Sequence, residues 1–348
     1  MKLLYFHVPK TAGSSINKFF ANNIKSHHFH IESAPNIDEI FCKKYDFISG
    51  HVPYNRMEKM LNLEEWITFA TFREPVSYVI SHLKWVRKLA DAGEEKRFEA
   101  HPKIFQDIAV EMKNYNFSDP LEITKFIKWL ESIRFYYFHN TQLHYMNVTN
   151  SQNCLTDTQV KKAIQNLDKV NFVGIQEQLD DYLKILSYEF GWDVARAPQE
   201  NKNTNSYGFD SQNEEICNAL LPLYEKDLII YNEAKKKFND LKNLYDCDTK
   251  ETKIRGFIDI ITPKKVIGWV RYDDSLTKVN LELKVQNKTV KTTLANIYRK
   301  GLKIKNIHPT GICAFEFEID QIQAYKQIEV YVKGTELKLP FSKGATIE

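Results

Sequence analysis

Between residues 2 and 24 the chain passes from an apolar run to an amphipathic one through a single short loop, and that passage restricts the fold more than any other stretch. Leu3 to Val8 reads as a buried strand. Pro9 stops it, and Gly13 supplies a backbone position with no Cβ to block a close approach. Ser14 or Ser15 is then expected to cap a helix whose apolar positions Ile16, Phe19, Phe20 and Ile24 recur at helical spacing. Strand, tight loop and helix N-terminus together make an anion site, because backbone N–H groups and the positive end of the helix dipole point into the loop. Lys10 adds a mobile positive charge, and Thr11, Ser14 and Ser15 add hydroxyl donors. The expected guest carries phosphate.

Further short apolar runs repeat the pattern. Tyr45 to Ser49, Trp66 to Phe72 and Val170 to Ile175 read as strands, each apolar enough for a parallel sheet covered on both faces. Helices are expected from Pro75 (stripe Val76, Val79, Ile80, Leu83), over 123–133 and 158–167, and after residue 175 (Leu179, Tyr182, Leu183, Leu186, Phe190). A long helix over about 213–244 is expected to bend at Pro222. Residues 88–120 read as a charged helical insertion over the site, and the segment from Ser26 to Ile40 as a polar connection. Strands alternating with helices argue for an α/β fold, a P-loop-like parallel sheet flanked by helices.

Around residues 246–253 the composition turns to Asp, Thr and Lys, which divides the chain into a domain over 1–247, a linker over 248–253 and a C-terminal module over 254–348. Short alternating runs at 256–261, 266–271, 279–285, 289–294, 314–319 and 328–332, with turns at Asn287-Lys288 and Gly334-Thr335, make that module an all-β sandwich. Residues 253–348 carry 17 Lys and Arg against 10 Asp and Glu, leaving 31 against 35 for residues 1–252, so the basic charge lies in the module. Five widely spaced cysteines with no C-x-x-C pair suggest neither zinc nor a disulfide framework, and fit reduced thiols in the cytoplasm. The chain opens on a core strand, leaving no room for a signal peptide, and no run approaches the roughly 20 apolar residues of a membrane span.

Two more stretches carry chemistry. In Thr71-Phe72-Arg73-Glu74-Pro75, Arg73 leaves a strand at its carboxyl end, where ligands of parallel sheets bind, and Ser77 and Ser81 share one face of the helix that follows. A guanidinium fork with a hydroxyl suits a second phosphate. In Ser49-Gly50-His51, His51 stands at another strand end with a pKa suited to proton transfer at neutral pH. His27, His28 and His30 have no acidic or cysteine partner at ligand spacing and read as surface residues; no metal is expected. Trp269 and Tyr272 could stack on sugars, although a core role is the commoner one for such a tryptophan.

The triphosphate-binding loop G-x-x-x-x-G-K-[ST] places its lysine after the second glycine, whereas here Lys10 precedes the loop's only glycine. The stretch from His7 to Ser15 instead resembles the 5′-phosphosulfate loop of sulfotransferases that use 3′-phosphoadenosine 5′-phosphosulfate (PAPS), in particular the group that includes the heparan sulfate 2-O- and 6-O-sulfotransferases. Arg73 and Ser81 match that family's 3′-phosphate motif, an arginine followed eight residues later by serine. Where the uronyl 2-O-sulfotransferases read His-Gly-His, with the second His the base, this chain reads Ser49-Gly50-His51. The resemblance, which covers about residues 1–245, implies a sulfotransferase fold with PAPS as co-substrate. It implies donor contacts from Lys10, Thr11, Ala12, Gly13, Ser14, Ser15, Arg73 and Ser81, a further basic loop at Lys202, and an acceptor-cleft segment at Asn140-Thr141-Gln142. It also implies His51 as general base, Lys10 opposite the leaving oxygen, and a capsular, lipopolysaccharide or exopolysaccharide glycan as acceptor. Nucleic acid is not an expected partner, and the oligomeric state stays open. The alternatives are a nucleotide-dependent kinase, which needs magnesium and ATP, and a carbohydrate-binding protein with a degenerate nucleotide domain.

Overall fold

The computed structural model describes residues 1–34, 37–147, 155–193, 205–247, 253–319 and 328–347. The chain divides into two compact units, residues 1–183 with 194–238, and residues 184–193 with 239–348.

The first unit is α/β. Its sheet contains β1 (Lys2–Phe6), β2 (His27–His28), β3 (Phe47–Gly50), β4 (Trp66–Phe72) and β5 (Phe172–Ile175), ordered β2-β3-β1-β4-β5 with every pairing parallel. Apart from Lys2 and the two histidines of β2 these strands are buried along their whole length, which is why they read as continuous apolar runs rather than alternating ones. The helix Gly13–Asn23 closes one face by laying Phe20 flat on Phe47, with ring centroids 4.2 Å apart, and edge-on to Phe69 at 4.9 Å. From β1 the chain winds outward to β2 and β3, then returns past β1 to β4 and β5. β1 therefore lies at the switch point of the sheet, where crevices open beyond the carboxyl ends of the strands.

Two local expectations are corrected. The helix read over 213–244 is broken rather than bent: Glu214–Leu220, a 3-10 turn Leu221–Leu223, then Asp227–Asp246. Pro222 has no N–H to continue the ladder, and its ring crowds the preceding turn. The connection from Ser26 to Ile40 contains the two-residue strand β2, too short to show a period. The residues 88–120 are helical as expected, with helices Glu95–Glu99 and Lys103–Glu111 and a 3-10 turn Met112–Asn114, of which Ile108, Ala109 and Met112 are core.

The second unit carries β6 (Ile254–Ile261), β7 (Lys265–Tyr272), β8 (Asn280–Val285), β9 (Lys288–Leu294), β10 (Ile297–Tyr298), β11 (Ile312–Glu318), β12 (Ile328–Val332) and β13 (Phe341–Ile347). They form a mixed sheet β10-β11-β7-β6-β13 and an antiparallel sheet β12-β8-β9. Val266, Val270, Phe315 and Phe317 of the first sheet share one core with Leu281, Leu283, Val330 and Val332 of the second. Inward and outward residues alternate along β7, β8 and β12. The β8–β9 turn is centred on Gln286 and Asn287, both with positive φ (49° and 64°), the two-residue hairpin that matches strand twist. A short helix Lys300–Ile304 lies between β10 and β11. Trp269 is half-buried against Phe257 and the small cluster of Leu302, Cys313 and Ala314, a packing role. No described helix is long and apolar enough to cross a membrane.

Candidate functional site

Three neighbouring strands deliver the candidate residues to one edge of the sheet: β1 leads into the 7–12 loop, β3 into His51 and β4 into Arg73. The loop is strained in an informative way. Lys10 and Ala12 both adopt left-handed backbone (φ 65° and 66°) with Thr11 between them at negative φ, although neither is glycine. Such residues cost about 1–3 kcal/mol each and persist only where the surroundings over-determine them. Here they do. The Thr11 hydroxyl donates to the Val8 carbonyl (2.8 Å) and meets the Thr71 hydroxyl at 3.0 Å, while Thr71 donates to the Thr11 carbonyl (3.0 Å) and pairs with the Tyr5 hydroxyl (2.5 Å). Arg73 donates through Nη1 to the Lys10 carbonyl (3.3 Å). Alternating left-handed and ordinary residues turn successive amides to one side, the geometry of an anion nest.

The helix begins at Gly13, not after a serine cap. Ala12 occupies the capping position with no side-chain bond, and the first intrahelical bond runs from the Ile16 amide to the Ala12 carbonyl (3.1 Å). Ser14 is exposed and Ser15 buried within the first turn. The expectation of a serine cap is therefore corrected: an early start leaves the Gly13 and Ser14 amides outside the helix ladder, facing the loop end. Gly13 is required there because a Cβ would stand 1.7 Å from Nε2 of His7.

Lys10 is largely buried, with Nζ 5.8 Å from the centre of the Trp85 ring. Burial, with the charges of Arg73 and Arg97, lowers its pKa to about 8, so its ammonium is under-solvated and ready for an anion. Arg73 is fixed through its backbone: its N–H donates to Gln142 Oε1 (2.8 Å) and its carbonyl accepts from Gln142 Nε2 (2.9 Å). Gln142 and Leu143 in turn donate their amides to the carboxylate of Asp227 (3.2 and 2.8 Å), and Asn140 Oδ1 accepts from the Lys226 and Asp227 amides (2.7 and 3.1 Å). Burial raises Asp227 to about 7. Asn140, Thr141 and Gln142 are thus buried, Gln142 holding Arg73 directly and Asn140 holding the turn that presents Asp227. Glu74 uses both carboxylate oxygens to cap the helix Pro75–Lys88 through the Val76 and Ser77 amides (3.1 and 2.7 Å). Ser81 sits partly exposed on that helix, one turn beyond Ser77.

His51 is held by its neighbours. Its Nδ1 lies 2.8 Å from the His7 carbonyl, which can only accept, so Nδ1 carries the proton and Nε2 keeps the lone pair. Burial lowers its pKa, opposed by the His7 carbonyl and Glu32. Ser49 is wholly buried and donates to Asn17 Oδ1 (2.8 Å). Sequence reasoning missed Glu32: its Oε2 accepts the His51 amide (2.9 Å), and Oε1 pairs with His30 Nδ1 (3.1 Å). The only signal was a carboxylate two residues after a histidine, in a segment without periodicity. Lys202, with its loop, lies outside the described residues.

Comparison with family models and with curated proteins returned no match.

Proposed function

We propose that this protein is a PAPS-dependent O-sulfotransferase acting on a glycan hydroxyl. The observation that carries the reading is the loop at the switch point: two non-glycine residues held left-handed, an uncapped helix start, and an arginine from the adjacent strand bonded to the loop's own carbonyl. A nest of this kind suits the 5′-phosphosulfate, and Arg73 with Ser81 suits the 3′-phosphate at the far end of the nucleotide.

In this reading the acceptor oxygen attacks sulfur in line with the departing 5′-phosphate oxygen. His51 Nε2 takes the hydroxyl proton, the new O–S bond forms as the phosphate O–S bond breaks, and Lys10 with the loop amides neutralises the charge that develops on the leaving oxygen. The sulfuryl group carries less charge than a phosphoryl group, so the reading assigns no metal to the transfer step. The acceptor class, a capsular, lipopolysaccharide or exopolysaccharide sugar, follows the resemblance of the loop and the presence of the β unit.

The test is calorimetry with adenosine 3′,5′-bisphosphate in metal-free buffer, followed by transfer of labelled sulfate from PAPS to a panel of cell-surface glycans. Expected are saturable binding without metal, transfer to at least one glycan, and a His51→Ala variant that binds the bisphosphate yet transfers at least a hundredfold more slowly. Absence of bisphosphate binding, or turnover only with magnesium and ATP, overturns the assignment.

A further inference from the structure

Beside the loop, three side chains from two segments, the turn 30–33 and the end of β3, converge in a way the transfer reaction does not require. One ring nitrogen of His30, one of His51 and a carboxylate oxygen of Glu32 all lie within 4.8 Å of one another. We propose that His30, Glu32 and His51 form a binding site for a divalent transition metal of the zinc type, with a fourth coordination position open, and that metal there and proton transfer by His51 exclude each other.

The ligand set is two imidazoles and one carboxylate, a combination that serves zinc, copper or iron rather than magnesium or calcium, which prefer all-oxygen sites. Three protein ligands with an open position distinguish such a site from the closed four-ligand structural kind. Metal–ligand bonds of 2.0–2.2 Å in a tetrahedron require donors about 3.3 Å apart, so the site must tighten by roughly 1.5 Å from its widest separation. The adjustable member is His30, which is mostly exposed, while Glu32 and His51 are held.

The surroundings are built for it. His51 donates Nδ1–H to the His7 carbonyl, and His30 places Nδ1 on Glu32 (3.1 Å). The His7 carbonyl accepts, so the His51 proton sits on Nδ1 and its Nε2 lone pair is available, the outer hydrogen bonding that orients metal-ligating histidines, while His30 Nδ1 and Glu32 Oε1, 3.1 Å apart, already stand at the spacing of two ligands on one metal. The Glu32 carboxylate lies where only glycine leaves room: a Cβ at Gly50 would stand 2.3 Å from Oε2. His30 itself is left-handed (φ 53°), a backbone cost at the residue that presents the ring. The packing of a third histidine supports the placing. His7 is buried, its ring centroid 4.1 Å from that of His51 and 6.1 Å from that of His30, and its Nδ1 is buried without a hydrogen-bond partner among the described residues. The site therefore has a dry imidazole wall on one side.

The consequence for transfer rests on the reading that His51 is the base: a lone pair bound to metal cannot accept a proton. The binding itself does not depend on that reading. The experiment uses the tag-free full chain, titrated with zinc chloride by calorimetry and with cobalt chloride by visible absorption. Expected are one metal per chain and at least tenfold weaker binding in both His30→Asn and Glu32→Gln. Asparagine tolerates the left-handed backbone, and glutamine keeps an acceptor for the His51 amide; unchanged circular dichroism melting in both variants shows that they fold. Sub-stoichiometric binding, or binding that neither variant weakens, overturns the proposal. Zinc bound through His30 and Glu32 in a chain that transfers no sulfate keeps the metal site and removes the transferase reading. Sulfate transfer that a stoichiometric load of zinc leaves unchanged overturns the exclusion.

Discussion

Replacing Gly13 with alanine tests the construction of the site through a sign that ordinary helix chemistry predicts the other way. Gly13 has no positive φ and opens a helix, so alanine there should stabilise by about 0.5–1 kcal/mol through backbone entropy alone. Instead, its Cβ would stand 1.7, 2.1 and 2.3 Å from Nε2, Cδ2 and Cε1 of His7. Ordinary contact is near 3.5–4 Å, so the ring must retreat by roughly 2 Å. It has nowhere to go: His7 is 6% exposed, stacked on Tyr5 at 5.4 Å and against His51 at 4.1 Å. Overpacking of this kind costs about 1–3 kcal/mol. A net loss of about 2 kcal/mol, near thirtyfold in the unfolding equilibrium, is expected from urea denaturation followed by circular dichroism. The decisive comparison is a double-mutant cycle. With His7→Ala already present the ring is gone, and Gly13→Ala should become neutral or stabilising, giving a coupling of about 2–3 kcal/mol. Additive losses, or stabilisation by Gly13→Ala in the unmodified chain, would show that the loop does not close on the imidazole as described.

Three further outcomes follow from the same geometry. The pKa of Lys10 is about 8 in the fold against an ordinary 10.5, so between those values the unfolded chain holds the extra proton and stability rises with pH, by up to about 3 kcal/mol. An anion on Lys10 favours the charged form, so bisphosphate affinity should fall as pH passes above 8, and Lys10→Met should flatten both profiles. Arg73→Lys keeps the charge but loses the fork and the bond to the Lys10 carbonyl, and should weaken bisphosphate binding at least tenfold by calorimetry; an unchanged dissociation constant would remove Arg73 from the nucleotide site. Gln142→Ala strips the Arg73 amide and carbonyl of their partners, and should cost about 2–4 kcal/mol in urea and weaken bisphosphate binding in parallel, whereas binding that stays intact would separate Gln142 from Arg73's placement.

The architecture of the first unit was legible because parallel strands buried on both faces leave long apolar runs, and β1, β3, β4 and β5 each fall on one. The module's strands were legible for the opposite reason, their alternation. The strands that escaped are β2 and β10, at two residues each, and β13, whose exposed residues carry no period. The break at Pro222 was legible as a disturbance, and its severity was not, because a kinked and an interrupted helix have the same composition.

By itself the sequence determined the order of the longer strands and the identity of the loop residues, since hydrophobic period, proline and glycine act over a few residues at a time. It also placed Lys10, His51 and Arg73 each after a strand. Only the tertiary structure decided that those strands are neighbours, that Lys10 and Ala12 are the residues bearing the strain, and that Gln142 and Asp227 hold Arg73 from about 70 and 150 residues away. It alone brought Glu32 and His30 to His51. The physical reason is range: propensity and patterning are local, whereas hydrogen bonds and ligand clusters join whatever the sheet order brings together, and no spacing along the chain records that.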